Sequence, residues 1–84
     1  MPNVGRQAPA GKTHTQSVVF EKSANWTVAS SRKWTADHDY FTDGLDETET
    51  QFRWRQYDPD KNKFSYRSQV IKINSITLIL GFPK

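Results

Sequence analysis

The chain has 84 residues, 35% of them hydrophobic and 25% charged, with a net charge of +3. That length allows one domain, and a chain this small buries only about 60% of the surface its unfolded form exposes, so each large apolar group is needed. The absence of cysteine excludes a disulfide framework and a thiolate metal site. No apolar run approaches the ~20 residues of a membrane-spanning helix, and the first twenty residues lack the apolar block of a signal peptide. An intracellular protein with no membrane partner is therefore expected.

Residues 1–16 contain Pro2, Gly5, Pro9 and Gly11 without hydrophobic periodicity and read as a flexible arm, leaving 17–84 as the single domain. Residues 17–21, SVVFE, are β-branched and apolar and predict a first strand. Thr27 occupies an N-cap position, and Val28, Ser31, Trp34, Thr35 and His38 follow with helical spacing. Ser31 and Thr35 make the inner face of that helix unusually polar, so Trp34 and Val28 must supply most of its packing.

Asp43-Gly44 reads as a turn, followed by a short strand around Leu45. Residues 51–57, QFRWRQY, alternate Phe52 and Trp54 with Arg53 and Arg55, which turns two rings to one face of a strand and two guanidiniums to the other. Asp58-Pro59-Asp60 stops that strand. Residues 64–70 alternate again, Asn74-Ser75 reads as a tight turn, and residues 76–82, ITLILGF, are the most hydrophobic run and predict the central strand. The order β-α-β-β-β, with a short extra strand near Leu45, predicts an α+β fold in which one helix covers a mostly antiparallel sheet of three to five strands.

These residues resemble a small module of bacteriophage and large DNA virus open reading frames that has no assigned activity. The likeness runs from Ser17 to Pro83 and rests on Trp26-Thr27, Trp34, His38, Asp46-Glu47-Thr48, Phe52-Arg53, Arg55-Gln56, Asp58-Pro59, Arg67 and Gly81. The chain departs from that pattern at Ser31, where Ala is usual, at Thr35, where Leu is usual, and at Trp54, where Phe or Tyr is usual. The resemblance implies a viral or prophage origin and leaves the chemistry open.

Charge is segregated: residues 1–36 carry +4, residues 37–50 carry −6 and residues 51–84 carry +5. The acidic stretch holds Asp37, His38, Asp39, Asp43, Asp46, Glu47 and Glu49, but its spacing is not that of a calcium loop, because Phe41 and Thr42 fill the fifth and sixth positions. A loop counted from Asp58 fails at Lys63 and Gln69. His14 lies in the arm, His38 has no nucleophile partner in sequence, and there is no glycine-rich phosphate loop, so neither an enzyme nor a cofactor is expected.

The remaining candidate is a cationic and aromatic face built from Arg53, Arg55, Arg67, Tyr57, Lys61 and Lys63, with Trp54 as a partly exposed anchor. An unidentified protein is the expected partner, as a virion accessory, an assembly adaptor or an inhibitor of a host protein. Nucleic acid is the alternative, with phosphate on the guanidiniums and bases on tyrosine. Against either stands the possibility that Asp46, Glu47 and Glu49 pair with Arg53 and Arg55 across the hairpin and neutralise the face.

Overall fold

A computed structural model describes residues 4–71 and 75–84. Strand β1 (His14–Glu21) leads through a 3-10 turn (Lys22–Ala24) to helix α1 (Val28–Asp37). Four strands follow: β2 (Leu45–Glu47), β3 (Gln51–Arg55), β4 (Phe64–Ile71) and β5 (Ile76–Pro83). All neighbouring pairs are antiparallel, in the order β2-β3-β1-β5-β4. The α+β expectation is met.

The strand arrangement differs from the expected one. The middle of the sheet is β1, and ITLILGF lies beside it, between β1 and β4. Both are interior, but β1 carries the run of fully covered residues from Gln16 to Phe20 because it has a strand on each side and the helix above. The boundary expected after Gln16 falls inside that strand, which begins at His14. Of the turn at Asn74-Ser75, Asn74 lies outside the described residues, while Ser75 has a left-handed backbone, with φ of 57°.

Helix α1 starts where local chemistry dictates. The Thr27 side chain accepts from the Ser30 amide at 3.0 Å and the Ser30 hydroxyl accepts from the Thr27 amide at 2.9 Å, a reciprocal cap that satisfies two otherwise unpaired donors. Left-handed residues close the preceding 3-10 turn at Asn25 and follow the helix at Asp39, a conformation these short polar side chains tolerate. The helix packs chiefly on β3.

Cross-strand neighbours Phe52 and Phe20, Trp54 and Val18, and Val18 and Leu78 build the core on the helix side. Trp26, Val28 and Trp34 close it from above. Each fully covered large apolar side chain contributes roughly 1.5–3 kcal/mol. The polar inner face of the helix is resolved by hydrogen bonds: Ser31 and Thr35 are fully buried, Thr35 donates to the Ser31 carbonyl at 2.7 Å, and the indole Nε1 of Trp54 donates to Ser31 Oγ at 2.9 Å.

Candidate functional site

Register places the candidate residues. Arg53 stands opposite Val19 on β1 and Asp46 on β2, and Arg55 stands opposite Ser17. Both arginines therefore face away from the helix, as the alternation predicts. No second layer of secondary structure covers this face among the described residues, and its rows run Asp46, Arg53, Val19, Thr77, Val70 and, beside it, Arg55, Ser17, Ile79, Ser68.

Trp54 is not an exposed anchor. It is completely buried, because the helix sits directly over β3 and supplies an acceptor for the indole N–H. Nor does Arg67 share a face with Arg53 and Arg55. It pairs with Leu80, which lies on the helix side of the sheet. Strands β3 and β4 are also separated by β1 and β5, roughly 14 Å at the usual strand spacing. Lys61 and Lys63 are exposed in the turn that opens β4, where Asp60 accepts from the amides of Lys63 and Phe64. The single cationic track expected from the sequence is thus divided between two places.

The acidic hairpin does not neutralise Arg53. Glu47 pairs with Lys22 at 2.7 Å, and Arg53 makes no ion pair among the described residues although Asp46 is its register partner. Its Nε is buried without a hydrogen bond. Arg55 is 5% exposed and lies under the Gly44 corner, where its amide donates to the Gly44 carbonyl at 2.8 Å. In the β2–β3 connection Thr48 organises the turn, its hydroxyl accepting from the amides of Thr50 and Gln51.

Tyr57 belongs to an aromatic cluster that sequence reading missed. The ring of His14 lies edge-on to Phe64, Tyr57 and Tyr66 at centroid distances of 4.6, 5.3 and 6.3 Å. Both of its ring nitrogens are buried without a hydrogen-bond partner. A side chain at Gly81 would collide with this imidazole, which is why the strand has a glycine there. Next to the cluster is a cleft of about 320 Å³ lined by Lys12, His14, Asp39, Tyr40, Phe41 and Tyr57, among others.

The segment expected to be a mobile arm is tied down at residues 4–6. Asp58 accepts from the Val4 and Gly5 amides at 2.7 and 3.0 Å, and the Arg6 carbonyl accepts from the Asp58 amide. Arg6 makes a two-pronged ion pair with Asp43 at 2.8 and 2.9 Å, donates through Nε to the Gln56 carbonyl, and lies 3.7 Å from the centroid of Phe41. The hydrogen bond and charge of Arg6 hold the Asp43 carboxyl below its ordinary range, and the same bond raises Arg6. The stretch Val4-Gly5-Arg6 gave no sequence signal for this clamp.

Gln56 is the hub of the neighbouring loops. Its Oε1 accepts from the Phe41 amide at 2.6 Å and its Nε2 donates to the Phe41 and Trp54 carbonyls at 2.9 and 3.2 Å. At the far end of the helix His38 is exposed, stacked on Trp34 with centroids 3.7 Å apart. The described residues contain no group of three or more metal-ligating side chains, and no described helix is long and apolar enough to cross a membrane. Comparison with known proteins finds no matching family, curated relative or solved structure.

Proposed function

We propose that this chain is a protein-binding module that works through its sheet, in keeping with its resemblance to a module of phage and large DNA virus reading frames and with a role as a virion accessory, an assembly adaptor or an inhibitor of a host protein. The observation that carries the reading is Arg53. It lies half-buried on the sheet face away from the helix, opposite an aspartate, yet its guanidinium is committed to no described carboxylate. An arginine held by strand geometry offers a partner a planar set of donors without a large ordering cost.

A nucleic-acid reading needs a continuous cationic track along which a backbone can run. Here Arg53 and Arg55 lie on one face, and Arg67 lies on the other face three strands further on. That separation favours a protein partner, which meets a patch, over a nucleic acid, which follows a groove.

The test is affinity capture with the wild-type chain and with Arg53→Glu, at matched thermal stability. Loss of one defined protein from the Arg53→Glu eluate supports the reading. Retention on single-stranded DNA that falls steeply with salt, with no protein captured, overturns it.

A further inference from the structure

We propose that the outer edge of β4 is a docking site for an extended, acidic segment of a partner protein, which adds as a sixth strand of the sheet. The inference rests on the protein-binding reading above and names a site and a partner chemistry for it. Three independent features of β4 converge on it.

The first is an unguarded edge. Strand β4 is last in the sheet, so one side of its backbone meets no described strand. Its eight residues pair with β5 in unbroken register, from Phe64 opposite Pro83 to Ile71 opposite Ile76, giving a straight edge of roughly 27 Å. Natural sheet edges are usually blunted by short length, proline, a bulge or inward charge. Strand β4 contains no proline, no bulge and one charged residue, Arg67, and Ser65 and residues 67–70 are exposed. The opposite edge follows the rule: β2 has three residues, two of them acidic.

The second feature is a pocket on that edge. Ser65 and Arg67, two apart and so on one face, border a cavity of about 310 Å³ with Phe82 and Pro83 of β5. Phe82 stands opposite Ser65 and is 37% exposed. In strand addition the backbone ladder supplies affinity and side-chain pockets supply selectivity. An apolar side chain of the added strand would lie on Phe82 and Pro83, with a carboxylate two residues along meeting Arg67.

The third feature is charge. From Lys61 to Lys84 the sequence has five basic residues and no acidic one. The Lys84 amide donates to the Lys63 carbonyl at 3.0 Å, which gathers two of those lysines at one end of β4. Two copies meeting edge to edge along β4 would bring like charges together, whereas an acidic strand is attracted.

The experiment uses a short synthetic peptide alternating Glu with Val around one Phe, and the same peptide with Lys for each Glu, read by fluorescence anisotropy and by amide hydrogen exchange of the protein. The acidic peptide should bind, slow exchange along β4, and bind at least about tenfold more weakly to Arg67→Glu. Ser68→Pro and Gln69→Pro form a pair, because successive strand residues turn their N–H groups to opposite edges. The variant that stays folded by circular dichroism has lost an outward N–H and should not bind.

Equal binding of both peptides, or no change in Arg67→Glu, overturns the proposal. So does concentration-dependent self-association abolished by Arg67→Glu, which would make the acidic β2 edge of a second copy the occupant. If Arg53→Glu stops partner capture while the β4 variants leave it intact, protein binding stands and the edge site falls.

Discussion

At the scale of single residues, polar atoms decide what the core accepts. A tryptophan brings an N–H into the interior, and Ser31 is the residue that receives it. Ser31 and Trp54 are thus the two ends of one buried bond. Ser31→Ala should cost about 1–3 kcal/mol by chemical denaturation, because the indole donor is left buried and unpaired. Adding Trp54→Phe should cost less than the sum of the two single changes, since each removes the need for the other; strict additivity would contradict the pairing. The His14 cluster allows a second cycle. Gly81→Ala should destabilise the wild type through collision with the imidazole and cost clearly less in a His14→Ala background, compared by thermal unfolding.

At the scale of elements, what was legible depended on how far the cause lies in sequence from its effect. Helix α1 was legible at its start because the reciprocal cap spans only Thr27 to Ser30. The facing of Phe52 and Trp54 against Arg53 and Arg55 was legible because alternation is a property of one strand. The burial of Trp54 was not, since it depends on which strand the helix covers. Strand neighbours were not legible either: hydrophobicity marks β5 as interior, but the centre is set by β1 pairing on both sides, with residues thirty or more positions downstream. The N-terminal clamp was hidden for the same reason, its partners Asp43 and Asp58 lying far along the chain. Its pH dependence follows from the lowered Asp43. The bond to Arg6 is fully formed above the ordinary aspartate value of about 3.9 and is lost as pH falls through the lower value of the folded state. The ring resonances of Phe41, which Arg6 overlies, should therefore stay constant from neutral pH down to about pH 4 and move only below it. Asp43→Asn should remove that transition, and a transition near neutrality would contradict the assignment.

At the scale of the whole molecule, the segregated charge of the sequence becomes a polarity across the sheet. Asp46 and Glu47 sit on the short β2 edge, and Arg67, with Lys61 and Lys63 at its entry, sits on the long β4 edge at the opposite end. The sequence shows the blocks of charge; only the strand order shows that they end up at opposite margins. The same order divides the cationic residues expected to act as one group. Arg53 is offered by a face and Arg67 by an edge, so a partner contacting both must wrap around the sheet, and one contacting a single site leaves the other variant without effect.

Strand β5 is the last element in sequence, yet it lies between β1 and β4. During synthesis β1, β2 and β3 can pair early, but β1 keeps one open flank and β4 has no neighbour until residues 76–83 have been made. Pairing of β4 within the sheet therefore waits for β5, and a chain stalled before Ile76 would leave β4 without its neighbour and one flank of β1 unpaired.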